Sequence, residues 1–424
     1  MAQAISLLWT PRFEGASRAE RKGCSYESFL PDPLAGWDLN LPADLAADIA
    51  DAEAAARALN AAGTSHVSLE GLARFLLRAE SVASSKIEGI EASPQRLMRA
   101  EALLARGGDA ADRAAAEILA NIGAMQDAVE RASAVARFEL GDLLAVHRRL
   151  MAAAPATSEP GLVRTVQNWI GGSSHNPCGA SFVPPPPEHV AALLDDLIAY
   201  LNGDEHSPLV QAAVVHAQFE TIHPFVDGNG RTGRALIHVV LRRRGLTPRF
   251  VPPISLILAT WSAAYVGALT AFRHEGAPDA PERSRACHGW LRIFASATLR
   301  ACRDAERYAA EIESVEAEWR HRLGRVRADS TVDRLLRVLP GAPVLTAQSA
   351  AGITARSEVA TSAAITRLVA AGILAQRNLG RRRYRVFEAG DVVRLFTSLE
   401  RSLASPSGDT VTAPPVRPVP RRPH

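Results

Sequence analysis

The chain has 424 residues, 47% of them apolar, and a formal net charge of +3. That length suits two or three domains with a sizeable core, and so small a charge excludes arguing for a nucleic-acid partner from charge alone. The four cysteines, Cys24, Cys178, Cys287 and Cys302, form no CxxC pair, and no histidines cluster at metal-ligand spacing. Both facts argue against zinc and fit reduced thiols in a cytoplasmic protein.

Taken in order, the N-terminus lacks a basic leader, and the apolar patch AISLLW is too short before Arg12 for a secretory signal. Ala- and Leu-rich patterning predicts helices over Pro42 to about Ala62 and from about Ser68 to Ile87, the second stopping near Gly89. Pro94 suits a further helix start, GGDAA at 107–111 breaks the pattern, and helix resumes to about Arg131 and again over Leu140–Ala153. Residues 158–187 are rich in Gly, Ser, Asn and Pro, with short extended pieces VQNWI and SFV, and read as a loop or small hairpin. Helices return over Pro187 to about Leu201 and over Leu209–Ile222, where Leu209, Ala212, Ala213, His216, Phe219 and Ile222 recur at helical spacing. The run Val251–Phe272 has no charged residue, but Pro252 and Pro253 open it and small polar residues interrupt it. A buried core helix is therefore expected, not a membrane span. A loop over 276–285 precedes a long helix over 286–327. Three short helices and two alternating runs between Thr331 and Glu388 then suggest a winged helix-turn-helix. The last twenty residues hold six prolines and read as a disordered tail.

The chemistry is concentrated in HPFVDGNGRTGR, residues 223–234, a turn joining two helices, the second starting at about Gly230. Gly228 and Gly230 permit backbone angles that other residues resist. Helix-start N–H groups form an anion site, and the Asn229 amide can donate to the same anion. Arg231 and Arg234, three apart, share a face and can reach phosphate oxygens. Asp227 can hold Mg²⁺ bridging two phosphates, and His223 can take a proton from an attacking hydroxyl. These are parts for phosphoryl or nucleotidyl transfer. No GK[ST] follows the glycines, and no strand precedes them, so neither a P-loop nor a dinucleotide fingerprint fits.

HPFVDGNGRTGR resembles the Fic family signature HxFx[DE]GNGRxxR at every specified position. HRRLM (147–151), PGLVR (160–164), QNWIGG (167–172), FVPPPP (182–187) and HAQFE (216–220) resemble the same family in its order. The resemblance covers roughly residues 20–300. It implies a mainly α fold: a Fic-type helical core with a small β-hairpin flap, here followed by the winged helix-turn-helix. It also implies transfer of AMP from ATP to a Ser, Thr or Tyr hydroxyl of a target protein. His223 would be the general base and Asp227 the Mg²⁺ ligand. Gly228, Asn229 and Gly230 would cradle the α- and β-phosphates, and Arg231 and Arg234 would hold the outer ones. The flap, about Ala180–Pro185, would pin the target segment by strand-like pairing, and the Tyr265 helix would back the nucleotide pocket. A homodimer also fits the resemblance, and another nucleotide such as UMP fits the motif, although ATP is the donor that its standard form favours.

SSKIEG, residues 84–89, resembles the family's inhibitory motif [ST]xxxE[GN], placed before the core. Ser84 and Glu88 are four apart on one predicted helix face, and the implied brake is a bidentate pair of Glu88 with Arg234. The family also allows the same glutamate to assist AMP removal. The expected domains are a helical region carrying the inhibitory motif (1–105), a catalytic core (106–280), a helical connector (281–330), the winged module (331–400) and the tail (401–424). His216 reads as a packed structural histidine and Trp169 as an anchor for the flap. His147 and Glu220 are open between packing and support of the site, and Cys178 sits in a loop without a cationic setting. Arg377, Arg381, Arg382, Arg383 and Arg385 crowd the wing and could contact DNA phosphates. The competing reading is thus a DNA-binding regulator whose Fic core senses nucleotide.

Overall fold

The computed structural model describes residues 2–10, 23–61, 69–104, 112–154, 158–173, 175–277, 280–378 and 385–403. Two strands come first, β1 (Gln3–Trp9) and β2 (Cys24–Leu30), then α1 (Ala43–Ala61), α2 (Leu69–Ile87), α3 (Pro94–Leu104), α4 (Arg113–Ala134) and α5 (Leu140–Leu150). After an extended stretch come α6 (Pro187–Asn202), α7 (Pro208–Ile222), α8 (Asn229–Arg243), α9 (Ile254–Thr260), α10 (Ser262–Phe272) and α11 (Pro281–Leu323). The C-terminal part holds α12 (Thr331–Val338), β3 (Val344–Leu345), α13 (Ala347–Thr354), α14 (Glu358–Ala370), β4 (Ala375–Asn378), β5 (Arg385–Glu388) and α15 (Gly390–Leu403). The protein is mainly helical, with small antiparallel sheets.

The chain packs as two compact units, each assembled from separated segments. One unit contains Met1–Glu53, Asp127–Leu246 and Ala263–Ser296; the other contains Ala54–Gln126, Thr247–Ser262 and Ala297–His424. In the first, α7 is buried from Leu209 to Ile222. A helix enclosed on every side is apolar all round, and α7 has the Ala- and Val-rich sequence this requires. Pro208 starts it, where a missing N–H is harmless, and Glu53 accepts from the Leu209 N–H at 3.0 Å. It packs against α6 and α8, and the buried Trp290 of α11 donates to Ala213 O at 2.9 Å.

The same unit corrects the expectation of a wholly helical N-terminal region. β1 and β2 form an antiparallel ribbon, from Gln3 opposite Leu30 to Trp9 opposite Cys24. The expected hairpin is present as an antiparallel bridge between Ile170 and Phe182, and the ribbon lies along it. Cys24 and Cys178 are joined by a disulfide, their Cα atoms 6.0 Å apart across 154 residues of sequence. This overturns the expectation that all four thiols are reduced; Cys287 and Cys302 are free and buried.

In the second unit, Glu80 is buried at the start of α9. It accepts from Ser255 N at 2.8 Å and from the Ser255 hydroxyl, satisfying a helix-start donor. Asn60 Oδ1 accepts from the N–H groups of Arg249 and Phe250, both at 2.9 Å. The uncharged run is two helices, α9 and α10, and no single helix among the described residues is long and apolar enough to cross a membrane. In the C-terminal module, β3, β5 and β4 form an antiparallel sheet in that order. α12, α13 and α14 precede the β4–β5 pair, the element order a winged helix takes, around a core that includes Trp319, Leu335, Leu336, Ile365 and Leu368. Thr346 and Ser349 close a capping box at α13, and Ser357 caps α14. Arg381, Arg382 and Arg383 of the wing, and the tail from residue 404, lie outside the described residues.

Candidate active site

α7 ends at His223, whose φ of 50° and ψ of 60° place it in the left-handed region that few non-glycine residues occupy. Several hydrogen bonds hold it there. Its N–H donates to Phe219 O at 2.9 Å. Its C=O accepts from Arg164 Nε at 2.8 Å and from Asn168 Nδ2 at 3.2 Å. This turn ends the helix and leaves the imidazole partly exposed, with Nδ1 3.8 Å from Glu220 Oε2. Glu220 thus lies beside the His223 ring.

The loop that follows is closed by its own side chains. Asn229 Oδ1 accepts from Phe225 N at 2.9 Å, and Nδ2 donates to Phe225 O at 2.8 Å. The Asn229 amide, expected to face an anion, thus directs a donor into the loop and fixes its shape. Asp227 Oδ1 accepts from Gly228 N at 2.7 Å, and Oδ2 from the Ser158 hydroxyl at 3.0 Å. His147 braces the loop from below. Its Nδ1 accepts from Gly161 N at 2.8 Å, so Nε2 carries the proton and donates to Asp227 O at 2.9 Å. Burial pushes the His147 pKa down, with the nearby Arg231 charge acting the same way, and the neutral ring stacks on Phe225 at 3.7 Å.

Gly228 has a φ of 75°, and a Cβ there would strike Met151 Sδ, so both backbone and space require glycine. The first backbone bond of the α8 ladder runs from Thr232 N to Gly228 O. The N–H groups of Asn229, Gly230 and Arg231 lie ahead of that ladder, at the positive end of the helix dipole. Arg231 and Arg234 follow, both buried. One unit thus brings together His223, Asp227, Gly228, Asn229, Gly230, Arg231 and Arg234. Ser84 and Glu88 belong to the other: Ser84 is buried, and Glu88 stands exposed in the turn just past the end of α2.

Four supporting residues were invisible as such in the sequence: Arg164, Asn168, Ser158 and Met151. The segments HRRLM, PGLVR and QNWIGG carried three of them, but nothing in those strings assigns a role. Arg164 is buried and donates to Pro185 O at 2.6 Å, Val166 O at 3.0 Å and Ile222 O at 3.3 Å, besides His223 O. It ties both sides of the flap to the His223 turn. Trp169 anchors the flap by donating to Ser173 O at 2.6 Å. His216 is fully buried, its pKa pushed down to about 3 by desolvation, with Nε2 2.7 Å from the Tyr265 hydroxyl. Tyr265 thus packs against α7 at this contact.

Two family models match the chain: the Fic/DOC family over residues 137–241 and the Fic/DOC family N-terminal region over residues 46–130. Residues 137–241 are thus a Fic/DOC domain, preceded by the N-terminal region of the same family. The Fic/DOC match runs from before α5 through most of α8, so it contains His147, Arg164, the flap, His223 and the α8 cradle; the N-terminal match contains Ser84 and Glu88. Among relatives, protein adenylyltransferase fic-1 of Caenorhabditis elegans is 34% identical over 116 residues, 27% of this chain and 21% of that protein. Protein adenylyltransferase Fic of Drosophila virilis is 37% identical over 126 residues, 28% of this chain and 24% of that protein. The chain therefore spans less than a quarter of these relatives' length. Among solved structures, a Fic family protein from Desulfovibrio desulfuricans G20 aligns with a TM-score of 0.49 at 20% identity, covering 83% of this chain and 97% of that one.

Within the Fic/DOC core, the α7–α8 approach is tightest at Gly233. A Cβ there would lie 2.5 Å from Glu220 Oε1, 3.0 Å from Phe219 Cδ1 and 3.1 Å from His216 Nδ1. Gly233→Ala, ordinarily favourable within a helix, is expected to destabilise by about 1–3 kcal/mol through overpacking. Urea denaturation checks this; a midpoint equal to or above wild type contradicts the close approach.

Proposed function

We propose that this Fic/DOC protein transfers AMP from ATP to a side-chain hydroxyl of a target protein and restrains itself through Glu88. The observation that carries the reading is the junction of α7 and α8. It holds a partly exposed imidazole, presented by a left-handed turn, a few residues ahead of a rigid helix-start nest and two buried arginines. The relatives' name, protein adenylyltransferase, points the same way.

In this mechanism, the target's hydroxyl oxygen attacks the α-phosphorus. His223 accepts the hydroxyl proton, at Nε2, since Nδ1 faces Glu220. The bond from the α-phosphorus to the bridging oxygen breaks, and pyrophosphate leaves. The helix-start N–H groups and Arg231 and Arg234 bind and orient the phosphates. Asp227 fits Mg²⁺. Oδ1 accepts from Gly228 N and Oδ2 from the Ser158 hydroxyl, leaving acceptor capacity on a hard oxygen ligand, and Mg²⁺ commonly takes one or two carboxylates plus substrate phosphates. Bound there, Mg²⁺ would neutralise charge on the leaving phosphates.

The brake is drawn from the sequence. Glu88 paired with Arg234 would occupy the arginine meant for the outer phosphate, and ATP would bind in a pose unsuited to in-line attack. Glu88→Gly is expected to raise self-modification roughly tenfold or more, the scale of one charge-assisted pair. Wild type, Glu88→Gly and His223→Ala are compared with labelled ATP and Mg²⁺ in lysate. Equal labelling of Glu88→Gly and wild type removes the brake; labelling that survives His223→Ala removes the proposed chemistry.

Among the described arginines of the C-terminal module, Arg385 is exposed on β5, while several others are paired within the module. Arg334 and Arg356 pair with Asp329, Arg337 with Asp333 and Arg377 with Glu388. On α14, Val359 is 83% exposed and Arg367 is bonded to the carbonyls of Leu323 and Arg325.

A further inference from the structure

The edge of the flap beside the ribbon is not open. Along a strand, the N–H and C=O of one residue face the same edge, and successive residues face opposite edges. Phe182 directs both toward Ile170: its N–H donates to Ile170 O at 3.2 Å, and its C=O accepts from Ile170 N at 2.8 Å. Val183 faces the other edge, and its C=O accepts from the Phe29 N–H of β2 at 2.9 Å. Pro184 O accepts from the Ser28 hydroxyl at 2.6 Å. At the far end of the ribbon, Trp9 meets Trp169 edge-on at 5.5 Å, and Cys24 is bonded to Cys178. Between these ties lies a groove of about 560 Å³, lined by Ser25, Tyr26 and Glu27 of the ribbon and by flap residues from Gly179 to Val183.

The two ends of the ribbon are held differently. The base is buried: Ala2 bridges Gly276, and Ala2 and Phe29 are core residues. The far end is thinly packed, with Leu8 81% exposed, and a two-stranded ribbon has little stability of its own. There the disulfide is the principal tie, and both of its cysteines are partly exposed. Cys287 and Cys302 are unsuited to thiol exchange, because burial pushes each thiol up to about 12.

We propose that the β1–β2 ribbon is a redox-held cover on the flap. It stands where an extended target segment would lie beside Gly179–Val183, and reduction of Cys24–Cys178 frees its far end while the base stays attached. The reductant is a dithiol. It supplies two electrons and two protons, the sulfur–sulfur bond breaks to two cysteine thiols, and the dithiol closes to its own disulfide. A cytoplasmic setting would favour the open form and an oxidising one the covered form. That the covered edge is a target's place rests on the adenylyltransferase reading; that reduction frees the ribbon does not.

The test uses the full chain in three forms: oxidised wild type, wild type reduced with dithiothreitol, and Cys24→Ser/Cys178→Ser. Oxidised Trp9→Ala is a fourth form that leaves the disulfide in place. Intact mass reports the bond, and hydrogen exchange reports the flap amides of Gly179–Val183. Reduced and cysteine-free forms are expected to exchange those amides about tenfold faster, because exchange follows local opening. They are also expected to label added target proteins several-fold faster, with Trp9→Ala in between. Absence of the disulfide under oxidising conditions, or equal flap exchange in oxidised and reduced forms, overturns the cover. Transfer is read in a Glu88→Gly background, where the proposed brake is absent; faster exchange there without transfer in either redox state keeps the cover and sinks the adenylyltransferase reading.

Discussion

His223→Ala is expected to lower AMP transfer by at least about a hundredfold, the smaller end of what a positioned general base contributes. Neither neighbouring histidine can take over the proton. His147 is buried, its Nδ1 accepts from Gly161 and its Nε2 donates to Asp227 O. His216 is buried with its pKa near 3 and its Nε2 against Tyr265. The loss should fall on the chemical step while nucleotide affinity persists, because in the proposed mechanism α8, and not the imidazole, holds the phosphates. Labelled-ATP transfer measured beside nucleotide titration makes the comparison. Equal loss in both would mean that His223 shapes the cradle and does not carry the proton.

Arg164→Ala is expected to destabilise the protein by about 3–5 kcal/mol, because several buried carbonyls lose their donor at once. The guanidinium is bound by the carbonyls of Val166, Pro185, Ile222 and His223, and burial pushes its pKa down to about 10. Arg164→Lys should rescue little, since one ammonium cannot reproduce a planar fork of five donors. Transfer should fall further than stability explains, because the left-handed turn at His223 loses its strongest brace. Denaturation midpoints and transfer rates of both variants decide this; a lysine variant with wild-type values of each contradicts the role.

The α7–turn–α8 unit was legible because it is local. Apolar spacing through Leu209–Ile222 and the Gly-Asn-Gly stop act within one turn of the residues that they position, and the observed start of α8 at Asn229 is one residue from the expected one. α11 was legible in its middle but not at its ends: the expected helix over 286–327 instead starts at Pro281, within the expected loop, and stops at Leu323, before Gly324, which has a φ of 66°. The ribbon was not, although Cys24 to Glu27 alternate between partial and full exposure, because a strand needs a partner and β1 names none. The disulfide left no local trace across 154 residues. The uncharged run was expected as one helix, since composition gives its burial but not the break at Trp261. Arg164 was quoted within PGLVR, yet its role exists only once Pro185 and His223 are brought to it.

The loop from Phe225 to Asn229 is cross-braced by Asn229, Ser158 and His147 before any phosphate is considered. A receptor stiffened by its own framework spends little binding energy on freezing itself. Because the brace lies where phosphates are proposed to sit, that economy would be the same for every nucleoside triphosphate, and choice of base would have to come from elsewhere in the pocket.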